Sequence, residues 1–154
     1  SDLVPDSFSD MQQLAQKPVQ KVAEARRAQA IARRKNRSEQ KFQTILNALC
    51  CMMYADRKSS LEERQKIIKI MMRIKSPWNE AEIDERMRKF VLNAKSNGYD
   101  SILDETCKEL EAISDPRQQE AIKKCLDNIA SADGKIEKQE RELRNRFHSI
   151  LDAD

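Results

Sequence analysis

Ala132-Asp133-Gly134-Lys135-Ile136-Glu137-Lys138-Gln139-Glu140 reads as a turn that ends one helix and caps the next. A less regular copy, Ala55-Asp56-Arg57-Lys58-Ser59-Ser60-Leu61-Glu62-Glu63, stands 77 residues earlier. In each copy a Glu follows the Asp by seven residues. The correspondence extends upstream: with Asp56 laid on Asp133, Ile45 falls on Ile122, Leu49 on Leu126, Met52 on Ile129 and Ala55 on Ala132. Those offsets trace the apolar stripe of a helix. Downstream, Ile67 and Ile70 follow Glu63, as Leu143 and Phe147 follow Glu140. The unit is an amphipathic helix, an acidic turn and a second amphipathic helix, present twice. Self-similarity of this kind predicts an internal duplication.

The segments between and around the two copies are also helical in pattern. Ser38 is placed to cap a helix running to about Tyr54, and Ser60-Leu61-Glu62-Glu63 is a capping box opening a helix to about Ile74. Ser76-Pro77 breaks the chain, and Asn79-Glu80-Ala81-Glu82 starts a helix with Ile83, Met87, Phe90, Val91 and Ala94 on one face. Asn97-Gly98 is a left-handed stop signal. Asp100 or Ser101 opens the next helix, carrying Ile102, Leu103, Cys107, Leu110 and Ile113. Asp115-Pro116 puts a cap before a proline at a first helical position. No segment alternates with a two-residue period, so no sheet is expected. The predicted fold is all-α: a compact helical bundle built from the two pseudo-repeated units, preceded by a basic helical arm. Short connections favour antiparallel neighbours.

Composition agrees. Two glycines and four prolines in 154 residues leave little room for hairpins, and 36% charged residues exceed the average of about 25%. The longest uncharged run, Phe42 to Ala55, is too short to cross a bilayer, which takes about 20 apolar residues. The opening residues carry Asp2, Asp6 and Asp10 and no apolar run, so no signal peptide is expected. Cys50, Cys51, Cys107 and Cys125 lie on apolar helix faces without C-x-x-C spacing, and His148 is the single histidine. This favours reduced, buried thiols in an intracellular protein over a zinc site. The methionines at 52, 53, 71 and 72 read as core filler. Trp78 reads as a lid over the bundle, and His148 as a surface residue.

Charge divides the chain into three. Residues 1–16 net −3 and read as a flexible polar tail. Residues 17–41 hold nine basic residues and two acids, a net of +7, whereas residues 42–154 net −1 and form the bundle domain. Alanines at 23, 25, 28, 30 and 32 make the 17–41 stretch a good helix former, and Pro18 suits its first turn. Its larger aliphatics are Val19, Val22 and Ile31 only, too few to anchor it in a core. Arg26, Arg27, Arg33, Arg34, Lys35 and Arg37 then form either a solvated helix face or an electrostatic contact to nucleic acid, anionic membrane or an acidic protein. No aromatic residue interleaves with these arginines, which disfavours base stacking.

The acidic turns pose a chemical question. Asp133 at a helix C-terminus sits where negative charge is unwelcome, and Glu140 looks back at the same turn. If the two units face each other, Asp56, Glu63, Asp133 and Glu140 form a cluster of four carboxylates. Such a cluster needs a cation, a basic side chain or a proton. Lys58 and Lys135 are the local candidates for counter-ions. The spacing argues against an EF-hand: its first ligand would fall on Ile129 in one copy and on Met52 in the other.

Two copies of apolar helix, Ala-Asp-Gly-x-apolar-x-x-x-Glu and apolar helix resemble the tellurite-resistance TerB-like family. That family includes TerB itself and the related domain of membrane-anchored DnaJ-like proteins. The resemblance covers about residues 42–151 and leaves the basic arm outside. Asp133, Gly134, Ile136 and Glu140 stand at the family's positions. In the first copy Arg57 replaces the glycine and Ser59 the apolar residue, while Asp56, Ser60 and Glu63 remain. The departures weaken a symmetric two-half site, because Arg57 can itself neutralise an acid.

The resemblance implies a small helical bundle that is not an enzyme. It implies a cytoplasmic or cytoplasm-facing module acting in stress response or in assembly with protein partners. It also implies a divalent-cation site, for calcium or magnesium, with Asp56, Glu63, Asp133 and Glu140 as ligands. The bland alternative is that these acids only end and cap helices. The competing function is an adaptor in which residues 17–41 bind nucleic acid or an anionic membrane surface. Catalysis finds no support: there is one histidine and no Gly-rich phosphate loop.

Overall fold

The computed structural model describes residues 8–130 and 138–153, with side chains over 18–129 and 138–153. The described residues form α1 (Phe8–Met53), α2 (Leu61–Arg73), α3 (Glu80–Asn97), α4 (Tyr99–Glu111), α5 (Pro116–Ala130) and α6 (Lys138–Asp152), with no strand among them. The chain divides into two units, Ser1–Ser38 and Glu39–Asp154.

The first unit is helical from Phe8 onward. Its described side chains are exposed apart from half-buried Ala23, and Val19 and Ile31 are 70% and 66% exposed. Two local expectations are corrected here. Pro18 lies inside α1 rather than in its first turn. Ser38 lies within the same helix and does not begin a new one. The alanines and straight-chain Gln, Glu, Lys and Arg on either side favour helix at every step, and this outweighs one proline and one potential cap.

In the second unit the C-terminal end of α1 is the axis of the fold. Leu46 and every residue from Ala48 to Tyr54 are buried. A helix buried on all sides must be enclosed by others. The enclosure is a closed ring: α2 packs on α3, α3 on α4, α4 on α6, α6 on α5, and α5 back on α2. Each ring helix contributes one apolar stripe, such as Ile67, Ile70 and Met71 from α2 or Leu143, Phe147 and Leu151 from α6. Met72 falls outside its stripe and is 44% exposed, so it is not core filler. Polar bonds register α4 on the axis. The Tyr99 hydroxyl donates to the Cys51 carbonyl at 2.7 Å, and Thr44 Oγ1 lies 3.0 Å from Glu109 Oε2. Trp78 is buried between the Phe42 ring edge and the Arg86 guanidinium, which stacks 4.0 Å from the indole centroid.

Local chemistry fixes the helix ends. Ser60 Oγ accepts from the Glu63 amide at 3.1 Å, and Asn79 and Glu82 form a reciprocal capping box. Asp115 Oδ1 accepts from the Arg117 amide at 2.9 Å, with Pro116 opening α5. α2 ends in a Schellman arrangement without glycine: Lys75 has φ 58°, and the Ser76 amide donates to Met71 O while the Lys75 amide donates to Met72 O. Gly98, at φ 95°, ends α3 and starts α4 in a single residue. α4 therefore opens at Tyr99, before Asp100 or Ser101, because Tyr99 is drawn into the core.

Candidate functional site

The first acidic turn follows the buried end of α1. Asp56 Oδ1 accepts from the Lys58 amide at 3.0 Å, a side-chain turn that stops the helix. The next residue, Arg57, has φ 63°. That left-handed conformation normally selects glycine, the residue the second copy carries as Gly134. Arg57 compensates with its side chain. Its Nη1 donates to the Ala55 carbonyl at 3.1 Å and approaches the Tyr54 carbonyl at 3.4 Å. A guanidinium on the last carbonyls of a helix opposes the negative end of the helix dipole. The same group stacks 3.9 Å from the Tyr99 ring centroid and stands 3.9 Å from Asp100 Oδ1. The acid beside Arg57 is thus Asp100, which the sequence offered only as a helix opener.

Glu63 is half-buried at the start of α2, where its amide is held by Ser60. Glu140 is half-buried in the first turn of α6. Asp133, with Gly134 and Ile136, lies outside the described residues. Among the described residues no group of three or more His, Cys, Asp or Glu is placed to hold a metal ion, so Asp56, Glu63 and Glu140 alone do not make such a site.

What adjoins the first turn is a cleft of about 320 Å³ lined by Arg57, Tyr99, Leu103, Gln139, Glu142 and Arg146, among others. Its two guanidiniums outnumber its one carboxylate. Arg146 stands 3.8 Å from Asp104, which ties α6 to α4. Sequence reasoning did not see this cleft, because α4 and α6 meet only through the ring; the arginine in a glycine position was the one local signal.

Two other cavities lie in the same unit. A groove of about 630 Å³ runs between α1, α3 and α4, with Glu82, Glu85, Glu105 and Glu109 along it and Arg86 bonded to Gln43 at 2.5 Å. A slot of about 200 Å³ is walled by Phe42, Ile45, Ile74, Ile113 and Ile122.

The four cysteines are free and buried. Burial pushes the Cys51 thiol up to about 12, raises Cys50 well above its ordinary value, and raises Cys107 and Cys125. Such thiols stay protonated at neutral pH and make poor nucleophiles. Burial also raises the Tyr99 phenol. His148 Nε2 lies 2.8 Å from Asp127 Oδ1 and joins α6 to α5 on the half-exposed outer side. In the first unit, Arg26, Arg27, Arg33, Arg34, Lys35 and Arg37 are all exposed. Among the described helices none is long and apolar enough to cross a membrane.

The family profile for tellurite resistance protein TerB matches residues 43–154. No curated protein and no solved structure matches the chain. The match takes in all but the first four residues of the second unit, from the buried end of α1 through α6, and the chain belongs to the TerB family.

Proposed function

We propose that the chain is a non-catalytic TerB-family interaction module, cytoplasmic or cytoplasm-facing, acting in stress response or in assembly with partner proteins. The observation that carries this reading is the extent of the family match, which takes in nearly the whole folded unit 39–154. The protonated, buried thiols support it, since the described core offers no activated nucleophile.

In this reading the bundle descends from a duplicated helix–acidic turn–helix unit. Asp56, Glu63, Asp133 and Glu140 take a divalent cation, calcium or magnesium, with the second turn as the stronger half. The support is sequence: the second turn keeps Asp133, Gly134, Ile136 and Glu140 at family positions, whereas Arg57 brings a positive charge to the first. A bound cation would contribute charge neutralisation and stiffening of the turn.

The test is thermal unfolding of the full chain against calcium, magnesium, manganese and zinc, beside Asp133→Asn/Glu140→Gln. A cation at 100 times its dissociation constant adds about 2.7 kcal/mol to the folded state. A midpoint raised by one cation in the wild type and not in the variant supports the site. A variant that is simply less stable, with no cation acting on either protein, makes the acids helix caps and removes the metal.

A second reading assigns residues 17–41 to an electrostatic contact with nucleic acid or an anionic membrane. Arg26, Arg33 and Arg37 repeat at seven and four residues, with Arg27 and Arg34 beside them, so one side of the helix carries a continuous basic stripe. None of them is in an ion pair among the described residues. Binding through this stripe would fall steeply with rising salt. Salt-independent capture of a partner after neutralising these arginines would sink it.

A further inference from the structure

The outward side of α2 combines exposed apolar groups with positive charge that has no ion-pair partner among the described residues. Leu61, Ile68 and Met72 repeat at seven and four residues and so share one side of the helix. Leu61 is 61% exposed, Met72 is 44% exposed and Ile68 is half-buried at the edge of the core. The opposite side is spent on the bundle through Ile67, Ile70 and Met71. Lys69 and Arg73 are exposed beside the stripe, with Lys58 and Lys75 exposed beyond its two ends. Between residues 58 and 75 six basic residues stand against two acids. Among the described residues none of those six is in an ion pair, whereas Arg57, Arg88, Lys123, Lys138 and Arg146 elsewhere in the unit each have a carboxylate within 4 Å.

The shape of this side selects the partner. None of the three cavities described above is lined by Leu61, Ile68 or Met72. The stripe is the convex surface of a helix, and none of those three cavities offers it a cradle for a partner helix. Nucleic acid would use the charge and leave the apolar stripe wet. A lipid headgroup layer is deformable and anionic, and it accepts apolar side chains below its phosphates; a basic amphipathic helix fits it on both counts.

We infer that the outward side of α2 docks on an anionic lipid surface, with Leu61 and Met72 entering the headgroup–acyl boundary and Lys69 and Arg73 at the phosphates. This surface is distinct from the basic stripe of residues 17–41 and does not depend on that stripe binding lipid.

The experiment measures partitioning of the full chain onto vesicles of phosphatidylcholine with about one-third phosphatidylserine, and onto pure phosphatidylcholine. Lys69→Glu/Arg73→Glu should lower partitioning onto the anionic vesicles more than about twentyfold, since each basic residue near such a surface contributes about fivefold. Leu61→Ser/Met72→Ser should lower it several-fold. Both variants should keep the wild-type unfolding midpoint, because all four side chains are exposed. Adding Lys69→Glu/Arg73→Glu to an Arg26→Gln/Arg27→Gln/Arg33→Gln/Arg34→Gln background should give the same further loss, which separates the α2 surface from the basic stripe. Wild-type partitioning in either α2 variant overturns the inference. So does absence of wild-type binding to anionic vesicles, or α2-dependent binding to duplex DNA or an acidic protein without vesicle binding.

Discussion

Arg57 holds a left-handed backbone conformation that ordinarily selects glycine. A non-glycine residue at φ 63° carries a backbone cost of about 1–2 kcal/mol. Its guanidinium recovers that cost through the Ala55 carbonyl, the Tyr99 ring and the nearby charge of Asp100. Arg57→Ala keeps the strained backbone and deletes the compensation, so it should destabilise by about 1–2 kcal/mol. Arg57→Gly deletes both and should lie within about 1 kcal/mol of the wild type. Urea unfolding of the two variants checks this ordering. Equal losses would mean that the side chain, and not the backbone, sets the whole effect. The sequence flagged Arg57 as a possible neutraliser of an acid in its own turn. The structure gives it the helix-end carbonyls, the Tyr99 ring and an acid from outside its turn, Asp100; the last two are not visible in a nine-residue motif because both arrive from another helix.

At the scale of the element, most boundaries were legible because side chains and backbone that make them are close in sequence. Ser60, Asn79 and Asp115 cap where their spacing said they would. Gly98 is the sharpest case, joining α3 to α4 in one residue at φ 95°. A methyl group there meets nothing within 4 Å, so any loss on Gly98→Ala is backbone strain and not collision. The expected cost is about 1–3 kcal/mol, read as a lower urea midpoint at unchanged slope. An unchanged midpoint would show that the joint relaxes into an ordinary turn. The boundaries that sequence missed, at Pro18 and Ser38, lie where a local signal met a long run of helix-favouring neighbours and the run prevailed.

At the scale of the molecule, the axis-and-ring arrangement makes the core a shared property. Cys50 and Cys51 lie on the axis, and Cys107 and Cys125 come from α4 and α5 of the ring. Each thiol is held protonated by burial, with Cys51 reaching about 12 against an ordinary 9.0. The unfolded chain releases these protons from about pH 9 upward while the folded chain keeps them. The unfolded state therefore binds fewer protons in that window, and stability must fall as pH rises above about 9. For Cys51 the slope is about 1.4 kcal/mol per pH unit up to its folded value. Denaturant midpoints between pH 7 and 10.5 measure it, and Cys51→Ala should flatten the curve in proportion. A midpoint constant across that range would mean that the thiols ionise in place.

The amino-acid sequence by itself determined the helical class, the caps and turns, the apolar stripes and the family, because each rests on residues within one or two helical turns of each other or on a short motif with fixed spacing. It also showed where the charge lies, with a net of +7 in residues 17–41. Only the tertiary structure decided which helix became the axis, since several segments carry apolar stripes and burial on all sides follows from how the others close around one of them. It alone decided that Arg57 meets Tyr99 and Asp100, and that Arg57 and Arg146 face one cleft. It alone left Leu61 and Met72 outside the core while their neighbours Ile67, Ile70 and Met71 went in. Those outcomes join residues tens of positions apart, or choose between two sides of one helix, and no local spacing encodes which side the ring will cover.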